Sequence, residues 1–270
     1  MRIATWNINR PRSTHTYRRA EIDRHICNVN ADVWVLTETH QTVVPGPPYT
    51  VVSSDTPDDY NNFEVGERWV SIWSKFPLIS VLPTADPVRT ACATFAVPGR
   101  RPLIVYGTVL PWVGSPWRGV PARDGAAFRA ALDLQRDDWM KFQEEHRDHD
   151  FCLAGDFNQY LLVVGHYYGP KCGRVALQVS LSAARLECVT GGNQDPVYLA
   201  TAGVHACIDH ICLSFELAGL HSPPAGTWLS PAERCRALLC NRPLRDVRRS
   251  DLTPIRIAAR GDCNRQLFED

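Results

Sequence analysis

The chain has 270 residues, of which 44% are hydrophobic and 21% charged, and its 29 basic and 29 acidic side chains cancel. That balance suits a soluble globular protein with length enough for a sizeable core. It excludes a cationic coat for nucleic acid over the whole surface, although a local basic cleft stays open. No apolar run approaches the roughly 20 residues of a membrane span.

The ten cysteines include Cys152, Cys207 and Cys212 inside apolar runs, where buried thiols are common. No CxxC pair exists, and Cys207/Cys212 and Cys235/Cys240 have poor spacing for zinc. The chain opens on a strand-like stretch without signal-peptide character. The expectation is a cytoplasmic, monomeric protein with reduced thiols.

In chain order, residues 2–8 alternate as a strand that ends in Asn7 and Asn9. Residues 17–30 predict a helix, with Ile22, Ile26 and Val29 on one stripe. Residues 33–36 form the next strand, and Glu38 follows at its tip. Residues 41–66 lack periodicity and predict a long loop. Residues 69–73 are a strand that residues 75–78 turn out of, and 91–97 with 103–110 predict a hairpin through Pro98 and Gly99. After a Pro/Gly/Trp loop, residues 124–146 predict a long helix.

The stretch that organises the chain is 151–159, FCLAGDFNQ. Phe151 to Ala154 read as a buried strand bounded by Gly155, and polarity then flips to Asp156 and Asn158. A carboxylate and an amide two apart on a strand end point the same way. Asp and Asn are also ordinary turn residues, but here the polar tip repeats what the first two strands do. Residues 160–173 predict a loop carrying His166, Tyr167 and Tyr168. Residues 174–188 predict a helix with Leu177, Leu181, Ala184 and Cys188 on one stripe, and 207–213 a strand carrying Asp209 and His210. Within 229–249 the pattern turns irregular, with a short helix at 231–240, and 255–257 predict a last strand. One domain over 1–270 is the expectation.

Five short motifs occur in order: ATWNIN, LTETH, LAGDFNQ, CIDHICLS and SDLTPI. Together they resemble the endonuclease/exonuclease/phosphatase superfamily, from residue 2 to about residue 257. The resemblance implies a four-layer α/β/β/α sandwich with two mixed β-sheets. It also implies phosphoester cleavage with Mg²⁺ or Mn²⁺, on a phosphoester substrate that includes nucleic acid among the candidates.

By resemblance, Glu38, Asn7 and Asp251 belong to the metal, and Asp156 positions or deprotonates the attacking water. Asn158 donates to phosphoryl oxygens, and Asp209 orients a histidine. That histidine is missing: Leu252 stands where the family pattern has it, and Val109 stands where several branches have His or Tyr, with Thr108 the nearest polar group. Three accounts stay open. Another histidine (His166, His205 or His210) takes the role; the chain is an inactive phosphate- or nucleic-acid-binding pseudoenzyme; or Leu252 is one replacement in an otherwise active enzyme. Trp112, Trp117, Tyr167 and Tyr168 are candidate stacking groups for a base, and Arg89, Arg100, Arg101 and Arg118 a candidate phosphate rim.

Overall fold

The computed structural model describes residues 1–220 except 12, 13, 15, 58–62, 113, 163–168 and 170, and the backbone of 224–225, 239–242 and 255–258. The chain begins with β1 (Arg2–Asn7), α1 (Thr16–Val29), β2 (Val33–His40), β3 (Thr50–Ser53) and β4 (Glu67–Ser74). It continues through β5 (Leu78–Val81), β6 (Thr90–Phe95), β7 (Leu103–Val109), α2 (Ala126–Glu145) and β8 (Asp150–Asp156). Next come α3 (Lys171–Ala183), β9 (Leu186–Cys188), α4 (Pro196–Ala200), β10 (Asp209–Ser214) and α5 (Phe215–Ala218). The last elements are β11 (Pro224–Ala225), β12 (Leu239–Arg242) and β13 (Ile255–Ala258).

Two sheets result, in the orders β11-β12-β13-β1-β2-β4-β3 and β5-β6-β7-β8-β10-β9. Both are mixed: β1 runs parallel to β2 and β13, and β7 parallel to β8, among antiparallel neighbours. Strand alternation sorts the core into layers. Ile3, Val33, Val35, Val70 and Ile72 of the first sheet meet Ala93, Val105, Ala154, Ile211 and Leu213 of the second in one buried apolar cluster. On the other face of the first sheet, Ala4, Trp6, Trp34 and Trp73 pack on Ile22, Ile26 and Val29 of α1. On the other face of the second, Tyr106, Leu153 and Cys212 pack on Phe128, Leu132 and Trp139 of α2 and Leu177 and Leu181 of α3. Each such large side chain, fully buried, stabilises the fold by about 1.5–3 kcal/mol. The four-layer α/β/β/α sandwich is thus present.

Several boundaries differ from those expected. The loop at 41–66 holds β3, and the turn after β4 leads into β5. Both strands bury little: in β3 Val52 alone is buried, and no residue of β5 is. The helix expected to reach residue 188 stops at Ala183, because Arg185 takes a left-handed φ of 53° and the chain resumes as β9. Gly155 does not end its strand; β8 runs on through Asp156. Leu239 and Cys240 lie in β12 rather than in a helix, so a strand interrupts the irregular 229–249 segment. Among the described residues no helix is long and apolar enough to cross a membrane.

Candidate active site

The tips of β1, β2, β8 and β10 meet at one edge of the sandwich. Asn7 is the last residue of β1, on the inter-sheet face with Ile3. Its Nδ2 donates to Glu38 Oε1 at 3.1 Å and to Asp156 Oδ2 at 3.0 Å, so one amide ties a carboxylate of each sheet. Asn7 Oδ1 accepts from the backbone N–H of Asn9 at 2.8 Å, which fixes the amide's orientation.

Glu38 departs from its strand. Regular alternation would aim it with Trp34 and Leu36 toward α1; instead its φ is 48°, a conformation costly for a residue with a Cβ, and its carboxylate reaches Asn7. Asp156 is 3% exposed, and its Oδ1 accepts from the Asn158 backbone N–H at 2.8 Å. Burial, and then the charge of Glu38, push the Asp156 carboxyl up to about 7, against hydrogen bonds from Asn158 and Asn7. Gly155 makes this placement attainable: its φ is 139°, and a Cβ there would lie 2.0 Å from the Thr108 carbonyl oxygen.

Asp209 opens β10 directly opposite Asp156 in the antiparallel register, so the two side chains share the inter-sheet face. Asn158 also has a left-handed φ, 48°, and its Nδ2 donates to the Leu110 carbonyl at 2.9 Å. The amide keeps its second N–H for another acceptor. Asn7, Glu38, Asp156, Asn158 and Asp209 therefore converge as the sequence led one to expect.

Other candidates do not join them. His210 is one residue past Asp209 and so faces the helices; it is fully buried, with Nε2 bonded to the Gln159 carbonyl at 3.0 Å and an edge-on contact with Phe157. Thr108 is buried too, and its hydroxyl donates to Gln135 Oε1 on α2 at 2.6 Å. Neither reaches the cleft, because period-two alternation turns both away. Val109, across from Asp156 in register, lies in the inter-sheet core.

The four arginines do not gather into one rim. Arg100 pairs with Asp150 at 3.9 Å, at the opposite end of β8 from Asp156, and Arg101 holds the Asp148 carbonyl. Arg118 pairs with Asp86, and Arg89 is buried over the Trp69 ring. Trp117 is buried, with Nε1 bonded to Asp86, so it stacks on no ligand. Trp112 stays exposed two residues past Leu110. His205 is exposed after α4. His166, Tyr167, Tyr168, Asp251 and Leu252 lie outside the described residues. The strand after the last two enters parallel to β1 with Arg256 against Arg2, so Ile255 begins β13 at the end of β1 remote from Asn7.

One neighbour was not foreseen. Arg10 stands between Glu38 and Glu67, 3.8 Å from a carboxylate oxygen of each, with its guanidinium over Phe63. Its signal was in plain view, a basic residue immediately after the polar tip of β1, but Glu67 and Phe63 arrive from a distant part of the chain.

A hard divalent cation fits this donor set. Carboxylate and amide oxygens are what Mg²⁺ or Mn²⁺ prefers, and Mg²⁺ keeps several waters. Among the described residues no three acidic, His or Cys side chains gather as a metal cage, so Glu38 and Asn7 would hold the ion with water and substrate oxygens completing its shell. Such a site can polarise a phosphoryl group and position a water beside a carboxylate of elevated basicity.

The architecture and the polar edge define an α/β/β/α phosphoesterase-type sandwich. A model described as Endonuclease/Exonuclease/phosphatase family matches residues 4–251, and the chain belongs to that family. Its fold is similar to an AP endonuclease from Archaeoglobus fulgidus, with a TM-score of 0.59, 16% identity, and coverage of 84% of this chain and 92% of that one. It is similar also to the AP endonuclease LMAP from Leishmania major (TM-score 0.61, 14% identity, 82% and 81% covered). A third is the 3'-5' exonuclease NExo from Neisseria meningitidis (TM-score 0.55, 19% identity, 83% and 91% covered). No curated protein sequence matches the chain.

Proposed function

We propose that this protein is a divalent-metal-dependent phosphoester hydrolase, with a nucleic-acid phosphodiester as the first substrate to try. The observation that carries the reading is the Asn7 amide shared between Glu38 and Asp156, with Asp209 in register beside Asp156. Mg²⁺ or Mn²⁺, held by Glu38 and Asn7, would withdraw charge from the phosphoryl oxygens. Asp156, fixed through both its oxygens by Asn7 and Asn158, orients the attacking water and accepts its proton. The second N–H of Asn158 stabilises charge on a phosphoryl oxygen, an interaction that strengthens toward the transition state. Asp209 adds a second buried carboxylate directly across from Asp156 in register.

Supporting this choice of substrate, the similar structures include an AP endonuclease and a Neisseria 3' phosphatase bound to product DNA hairpin. The test is turnover of a generic phosphodiester and of an abasic-site duplex, with Mg²⁺ or Mn²⁺ and again with chelator. Metal-dependent turnover that Asp156→Asn removes is the expected result. Absence of turnover in folded, metal-loaded protein would overturn the enzymatic reading and leave a phosphate-binding module.

A further inference from the structure

Two cysteines face each other on the helix-covered side of the second sheet. β9 and β10 pair antiparallel with Cys188 directly across from Cys212. The Val189 amide donates to the Ile211 carbonyl at 2.9 Å, which makes 188 and 212 a non-hydrogen-bonded pair, whose α-carbons stand about 4.5 Å apart. A disulfide spans about 4.4–6.8 Å between α-carbons, so the pair can close without moving its strands.

The chemistry of the two thiols is unequal. Cys188 lies half-buried on an edge strand, while Cys212 is fully buried. Thr190 Oγ1 sits 3.8 Å from Cys188 Sγ and 3.4 Å from His210 Nδ1, and the Gln159 carbonyl anchors the far side of that ring. Burial alone would push both thiols up. At Cys188 the hydrogen bond from Cys212 and the nearby imidazole outweigh it and hold the thiol well below its usual range, whereas Cys212 is pushed well above. One accessible thiolate and one protonated partner make an attacking and a resolving group.

We propose that Cys188 and Cys212 are a redox pair that a peroxide converts to a disulfide. The Cys188 thiolate attacks a peroxide oxygen and breaks the O–O bond, giving a sulfenic acid and, from hydrogen peroxide, hydroxide. The Cys212 sulfur then attacks the sulfenyl sulfur, its proton leaving with the expelled hydroxyl as water. Two thiols are oxidised and one peroxide is reduced. Because β10 begins at Asp209, the bond ties the strand that presents this carboxylate to the sheet edge. Cys207 is the nearby competitor, but its Sγ donates to the Asp209 carbonyl at 2.7 Å.

The experiment treats the full chain with hydrogen peroxide, blocks free thiols in denaturant and maps the linked peptides. A Cys188–Cys212 linkage is expected in the native chain, and a dimedone-reactive sulfenic acid at Cys188 in Cys212→Ser. Free thiols at both positions under conditions that oxidise the exposed Cys27 and Cys172, or a Cys188–Cys207 linkage instead, overturns the proposal. The mapping on the native chain decides the matter even where Cys212→Ser does not fold.

Discussion

The two faces of β10 carry different chemistry one residue apart. Toward the first sheet, Asp209 continues the line of Ile211 and Leu213 and stands beside Asp156 at the open edge. Toward the helices, His210 and Cys212 are buried beside Thr190, with the half-buried Cys188 on the edge strand next to them. At the first face, burial and the charge of Glu38 make a carboxyl a weaker acid; at the second, a hydrogen bond from Cys212 and an imidazole make a thiol a stronger one. The lesson is that composition near a motif says little until side-chain direction is assigned, because a strand separates adjacent residues by its full thickness.

Substitutions on each face sharpen this contrast. On the inter-sheet face, Asp156→Asn is expected to lower kcat/KM by about 10²–10⁴, the span of general acid–base effects. The same change alters pH-dependent stability in metal-free protein. Between the ordinary 3.8 and about 7, the folded chain holds a proton at Asp156 that the unfolded chain has released, so stability falls as pH rises through that window. Thermal melts of Asp156→Asn should lack that component of the slope; identical slopes would place the proton elsewhere.

Glu38→Gln should weaken Mn²⁺ binding by about tenfold or more, since it removes one charged oxygen ligand at a cost of roughly 1.4 kcal/mol or above. Calorimetry that returns equal affinities would remove Glu38 from the metal site. On the helix face, His210→Gln should cost about 1–3 kcal/mol in denaturant unfolding, the penalty for disturbing a buried hydrogen bond. Its kcat per folded molecule should stay within about threefold. A loss of activity without a loss of stability would break the division between the faces.

The sandwich was legible through the resemblance that five short motifs carry, and the polar tips at Asn7, Glu38 and Asp156 because an apolar run ending abruptly in such residues is a strong pattern. Failures have separate physical causes. β3 and β5 are edge strands with mostly exposed side chains, so there was no hydrophobic alternation to read. Cys188 fell on the helical stripe of Leu177, Leu181 and Ala184 by spacing alone, while Arg185 had already reversed its backbone without a glycine to announce it. His210 and Thr108 were grouped with the site by proximity in sequence, although period two from Asp209 and Val109 already turned them away. Arg10 acquires its meaning from Glu67 and Phe63, which tertiary folding brings to it.

The mouth of the cleft also bears on how this protein tolerates change. Asn9, Arg10, Glu38 and Asn158 all hold left-handed backbone, with φ between 44° and 50°, at a cost of order 1–3 kcal/mol each. Glycine would relieve that strain at every one of them, so a screen rewarding heat resistance alone would drift toward it. At Glu38 and Asn158 the same drift deletes the carboxylate and amide that line the cleft. Selection for durability and selection for turnover thus press in opposite directions on the same few codons, and a library intended to harden the fold should keep these two fixed.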